Sequence, residues 1–182
     1  NTQMTVSVAK ILKDNKCLNV WDAACGTGAQ TIPLAKAGFK MVASDISPHM
    51  LNLARQKSDE LHIDYFQSDM TLPCDDLHPD AVITLYNALG HLSKDLFHQA
   101  AKNFFKILPE GGIFIGDVDN RSFLEKPGKL PDDFFLSQTD KETGWTRYSK
   151  AEPTGFGIYH MEDKWYKDSQ EKIVEEWDLQ TW

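Results

Sequence analysis

Five groups of residues in this chain carry chemistry, and each stands at the end of an apolar run. Asp22 closes Asn19-Val20-Trp21 and is followed by Ala23-Ala24-Cys25-Gly26-Thr27-Gly28. Small residues at 24, 26 and 28 let a ligand approach the backbone where side chains would block it. A helix starting just beyond aims free N–H groups and a partial positive charge into the turn, which favours an anionic group. This is a loop for a nucleotide-type cofactor. Asp45 closes the second run, Asp69-Met70 follow the third, Asn87 and His91 the fourth, and Asp119-Asn120 the fifth. His91 is the best-placed candidate base, because an imidazole titrates near pH 6.5 in water. Cys25 has the look of a nucleophile, but no His lies close in sequence and the loop needs a small residue there.

The elements that must position these groups alternate. Met4, Val8, Ile11 and Leu12 follow helical spacing, so about residues 3–14 are a helix. Leu18–Asp22 is the first strand, and Ala29–Lys36 is a helix ended by Gly38. Lys40–Ser44 is the second strand. Ser47-Pro48, a cap followed by proline, opens the next helix with Met50, Leu51 and Ala54 on its apolar face. His62–Phe66 and Ala81–Tyr86 are strands three and four. Leu96 to Leu108 mark a strongly amphipathic helix, and Ile113–Val118 is strand five. Strands alternating with helices predict an α/β, mostly parallel, doubly wound sheet. Residues 120–155 lack periodicity and are expected to be a long loop with a short helix around Asp132–Leu136. Ile158–Lys167 and Glu171–Trp182 are expected to form an antiparallel hairpin. Its aromatics, Tyr159, Trp165, Tyr166, Trp177 and Trp182, are assigned to core rather than to a ligand cover.

Composition removes several classes. The chain has 182 residues, 19 basic against 27 acidic, and a formal charge of −8. Phosphate contacts need clustered Lys and Arg, so nucleic acid is not an expected partner, nor is an anionic membrane surface. No apolar run reaches a membrane-spanning length of about 18 residues, and no signal peptide is visible. Cys17, Cys25 and Cys74 show no metal spacing, so no metal is expected, and three thiols fit a reduced, cytoplasmic protein.

A dinucleotide fingerprint places glycine where Thr31 stands, and so does not fit. The spacing Asp22-x-Ala24-x-Gly26-x-Gly28 instead resembles motif one of the class I S-adenosylmethionine-dependent methyltransferases. Three further matches follow in order. Asp45 ends strand two, where the family's ribose-binding acid stands; a carboxylate offers two acceptors to a vicinal diol. Asp69-Met70 match the family's adenine acid and the apolar side chain that packs on the ring. Leu108-Pro109-Glu110-Gly111-Gly112 resembles its turn before strand five. The resemblance covers about residues 17–120. It implies S-adenosyl-L-methionine as cofactor, held by Asp22, Ala23, Ala24, Gly26, Gly28, Asp45, Ile46, Asp69, Met70 and Tyr86. Leu85-Tyr86-Asn87-Ala88-Leu89-Gly90-His91-Leu92 further resembles a segment of the glycine and sarcosine N-methyltransferases. Asp119 falls where those enzymes carry an arginine for the amino-acid carboxylate. An acid there repels a carboxylate and favours a cationic or neutral substrate.

The expected domains are therefore a Rossmann-like cofactor core over 1–119 and a substrate-side loop and hairpin over 120–182, incomplete at the C-terminus, since both ends look cut. Asn87, His91, Asp119 and Asn120 are the expected substrate side, with His91 as base. The expected function is N-methylation of a small-molecule amine. O-methylation, or a non-catalytic module that binds the cofactor, are the alternatives. The family's last two strands and their helix are not found after strand five. Either the chain ends before them, which would leave an open sheet edge and allow a homodimer, or the 158–182 hairpin replaces them.

Overall fold

The computed structural model describes residues 2–118, 136–139, 143–155 and 158–180. They fall into two compact units: one reaches to Leu89 and takes up Lys94–Asp117, the other holds Gly90–Ser93 and the described residues from Val118 on.

In the first unit α1 (Thr2–Asp14) precedes β1 (Asn19–Asp22), α2 (Thr31–Lys36), β2 (Lys40–Asp45), α3 (Pro48–Lys57) and β3 (Asp64–Gln67). β4 (Ala81–Thr84), a 3-10 turn (Ala88–His91), α4 (Lys94–Ile107) and β5 (Ile113–Gly116) follow. The strands form one parallel sheet in the order β3-β2-β1-β4-β5. β1 pairs with β2 from Asn19–Lys40 to Asp22–Ala43, and with β4 from Val20–Ala81 to Asp22–Ile83. The strand order therefore reverses between β1 and β4, directly at the carboxyl end that carries Asp22. Ligands bind at such switch points in open α/β sheets.

The two-residue period of the strands divides the core. Val20, Met41 and Ile83 join Val8 and Leu12 of α1 and Leu34 of α2 in one apolar cluster. Trp21 projects to the other face and meets Phe104 of α4 edge-on at 5.6 Å, while Phe104 stacks on Phe114 of β5 at 5.4 Å. The Trp21 indole N–H donates to Ser44 Oγ at 3.0 Å, so its polar edge is satisfied inside the core. All four residues of β4 are buried, as expected of a strand covered on both faces.

Several boundaries differ from expectation. α2 begins at Thr31, not Ala29, and has only six residues. β4 ends at Thr84, because Tyr86 and Asn87 both take left-handed backbone, φ 61° and 59°, and cannot continue a strand. β5 ends at Gly116.

The second unit holds β6 (Leu136–Thr139), β7 (Trp145–Gly155), β8 (Ile158–Lys167) and β9 (Gln170–Gln180), antiparallel in that order. The expected hairpin is β8–β9. It is joined across Asp168-Ser169, both left-handed as a two-residue hairpin turn requires. The loop expected over 120–155 is corrected where it is described: 136–139 and 145–155 are strands. In 145–155 the alternation was hidden because the inward positions Arg147 and Ser149 are polar. Arg147 stands 3.4 Å from Asp163, and Ser149 and Asp163 are both buried. Most of the expected helix around 132–136 lies outside the described residues. The hairpin does not extend the parallel sheet. Of the aromatics assigned to core, Tyr159 is buried, whereas Trp165 is half-buried under the Arg147 guanidinium at 5.6 Å. The side chains of Trp177 and Trp182 lie outside the described residues.

Candidate cofactor site

The loop after β1 is wired to its surroundings by its own amides. Ala23 N donates to Ile83 O at 3.0 Å, Cys25 N to Ser44 O at 2.9 Å and Gly28 N to Cys25 O at 2.9 Å. Gly26 N donates to Asp45 Oδ2 at 2.8 Å, and Ala24 N–H bonds to the Asp22 carboxylate. These five loop amides already have protein partners. A six-residue helix that begins at Thr31 also adds little dipole. Two carboxylates stand under the loop instead.

Asp22 is 3 % exposed and accepts the Thr31 hydroxyl at 2.5 Å. Burial raises its pKa to about 6; the bonds from Thr31 and Ala24 oppose this rise, and the nearby Asp45 charge adds to it. Burial and the Asp22 and Asp45 charges push the Cys25 thiol well above the ordinary thiol range, so it is no nucleophile. The glycines act differently. A Cβ at Gly28 would lie 2.8 Å from Ile32 Cδ1, and its φ is 81°. At Gly26, φ 52°, nothing stands within 4 Å of that position, which leaves open space above the backbone.

Asp45 closes β2 with each oxygen engaged once: Oδ2 by Gly26 N and Oδ1 by Ser47 N at 2.9 Å. A carboxylate oxygen accepts twice, so both keep capacity for a diol. Ile46 beside it is 65 % exposed. Asp69 follows β3, and its Oδ1 accepts from Thr71 N and Thr71 Oγ1, both at 2.8 Å. Met70 is half-buried.

At the end of β4 the Tyr86 hydroxyl accepts from Gln30 Nε2 at 2.8 Å, and Gln30 Oε1 accepts from Thr5 Oγ1 at 2.9 Å. Asn87 N donates to Asp117 Oδ1 at 2.8 Å. Asp22, Ala23, Ala24, Gly26, Gly28, Asp45, Ile46, Asp69, Met70, Tyr86 and Asn87 all belong to the first unit. His91 is exposed and belongs to the second unit. Asp119 and Asn120 lie outside the described residues. Sequence reasoning missed Thr31, Gln30 and Asp117 as supports. Its position directly after the glycine loop was the one signal available for Gln30, which is 2 % exposed. Among the described residues no group of three or more His, Cys, Asp or Glu is arranged to hold a metal.

The residues fit S-adenosylmethionine better than a dinucleotide. Loop amides satisfied within the protein and two acids beneath them suit a ligand with cationic and hydroxyl groups. They do not suit a pyrophosphate.

Residues 20–112 match the methyltransferase domain family. A glycine/sarcosine N-methyltransferase of Parasynechococcus marenigrum is 34% identical over 168 residues, 84% of this chain and 59% of that protein. An S-adenosylmethionine-dependent methyltransferase from Clostridium acetobutylicum superposes with TM-score 0.80 at 20% identity, over 98% of this chain and 73% of that one. The sugar N-methyltransferase KedS8 from Streptoalloteichus superposes with TM-score 0.80 at 18% identity, over 98% and 72%. The family match and the fold place the chain among the class I S-adenosylmethionine-dependent methyltransferases. The chain belongs to the methyltransferase domain family, and it spans less than two thirds of the length of the first curated relatives it matches.

Proposed function

We propose that this chain transfers the methyl group of S-adenosylmethionine to an amine of a small molecule. The observation that carries the cofactor is the first loop, with Asp22 and Asp45 beneath it and open space above Gly26. In this reading residues 1–119 are the cofactor core and 120–182 the substrate side. Asp45 accepts the ribose hydroxyls. Ile46 and Met70 offer apolar surface to the adenine, and Asp69 accepts from its amino group. Asp22, Ala23, Ala24, Gly26 and Gly28 take the amino-acid portion, and Tyr86 lines the switch point. When bound, the cofactor supplies a methyl group already activated by the positive sulfonium.

The chain then has to hold, align and exclude water. Positioning of this kind is worth on the order of 7–11 kcal/mol at best. Asn87, His91, Asp119 and Asn120 are assigned to the substrate. His91 takes the proton that an ammonium must lose before it can attack, a contribution of about 10²–10⁴-fold. The acid at 119 favours a cationic or neutral substrate over a carboxylate. The amine, rather than a hydroxyl, is supported by the Asn87 and His91 pattern and by the N-methyltransferase among the relatives.

Calorimetry of S-adenosylmethionine, S-adenosylhomocysteine and NAD tests the cofactor. The sulfur compounds should bind and NAD should not. Asp45→Ala should weaken binding by about 10–100-fold, the worth of a charge-assisted hydrogen bond. Binding of NAD in their place would overturn the reading. With an amine panel in hand, turnover untouched by both His91→Ala and Asp119→Ala would remove the substrate assignment.

A further inference from the structure

We propose that Gln99 and Asn103 of α4 are positioning residues for the loop that reads the cofactor's adenine, and that they set the preference for adenine over a 6-oxo purine. This rests on the assignment of Asp69 to the adenine amino group. The loop is held through Thr71, which is 5 % exposed. Its N–H and hydroxyl both donate to Asp69 Oδ1 at 2.8 Å and so orient that carboxylate. Its carbonyl accepts from Gln99 Nε2 at 2.9 Å and from Asn103 Nδ2 at 2.7 Å. Asn103 Nδ2 also stands 3.4 Å from Met70 O, and Leu72 N closes the turn on Asp69 O at 2.9 Å.

A carbonyl oxygen has two lone pairs, and both are filled here by amides four residues apart on one face of a helix. The Thr71 peptide cannot turn without breaking both bonds. That peptide's N–H is Leu72's and closes the turn on Asp69 O, so turning it would release the backbone that carries the Asp69 carboxylate. α4 is itself fixed from beneath, where Phe104 packs between Trp21 and Phe114. Among the described residues the hydrogen bonds to Asp69 engage only Oδ1, which leaves Oδ2 to accept from a ligand. An amino group at position 6 of a purine donates to that oxygen. A carbonyl at the same position presents a lone pair and is repelled. Gln99 and Asn103 therefore govern which purine is accepted without touching it.

Calorimetry on the full chain with S-adenosylhomocysteine and S-inosylhomocysteine separates this from a merely structural role. The unaltered chain should prefer the adenosine compound. In Gln99→Leu/Asn103→Leu its affinity should fall about tenfold, the effect of one hydrogen bond, while the inosine compound changes little. The discrimination would then narrow. Equal weakening of both ligands, or none, overturns the proposal. Gln99 is exposed, so Gln99→Leu alone carries the test if the double variant fails to fold. Asp69→Ala is the control. If it keeps full discrimination, the adenine assignment falls and the proposal with it. If Asp69→Ala loses discrimination and the α4 variants keep it, only the proposal falls.

Discussion

Asp22 holds its carboxylate where charge is least welcome, and this makes the first loop sensitive to pH. Its folded pKa of about 6 lies above the value of 3.8 for a free aspartate. Between those values the folded chain binds the proton and the unfolded chain does not, so this group's contribution favours folding as pH falls from 7 toward 4. The gap corresponds to about 3 kcal/mol at most. Asp22→Asn keeps an acceptor for the Thr31 hydroxyl and removes the titration. Urea unfolding at pH 5 and pH 7.5 should show the variant's stability relative to the parent rising with pH, with part of the gain already present at pH 5. Asp22 was legible in the sequence because type and spacing marked it. Thr31, the residue that satisfies it, was not, because a threonine in the first turn of a helix has many ordinary reasons to be there. Asp117 was not legible for a related reason: its partner Asn87 is 30 residues away in sequence.

At the scale of elements the same contrast recurs. The sheet and its switch point followed from apolar runs and glycine turns, since buried parallel strands have few other patterns. β7 did not, because Arg147 and Ser149 fill inward positions that a hydrophobic alternation would need. The turn after β4 was read as strand because Tyr86 is a good strand residue. Left-handed backbone at two successive non-glycine residues costs energy, so something must hold it. Gln30 does so from the first loop and Asp117 from the end of β5. Tyr86→Phe leaves the buried Gln30 amide without its acceptor and should cost about 1–3 kcal/mol. Gln30→Met in that background removes the orphaned donor, so the double variant should recover part of the loss. A double-mutant cycle by urea unfolding measures it; strict additivity would mean the Gln30–Tyr86 bond does not hold the turn.

The whole molecule carries a formal charge of −8, and the reaction proposed for it changes the charge of its cofactor. S-adenosylmethionine has a sulfonium, an ammonium and a carboxylate, net positive by one. S-adenosylhomocysteine has lost the sulfonium and is neutral overall. In the proposed site, a net negative charge with Asp22 and Asp45 nearby should attract the first more than the second, over and above any contact. Salt distinguishes the field from the contacts, because the Debye length shrinks from about 30 Å at 0.01 M to about 10 Å at 0.1 M and 3 Å at 1 M. Buried pairs are screened little over that range, and the long-range field is screened strongly. Calorimetry between 20 mM and 500 mM salt should therefore show S-adenosylmethionine weakening by about 2–5-fold. S-adenosylhomocysteine should change less. The preference for substrate cofactor over product would narrow as salt rises, and release of the product would depend on ionic strength less than capture of the substrate. Parallel curves for the two ligands would place the discrimination in local contacts under the first loop, and the acidity of the chain would then play no part in choosing the charged form.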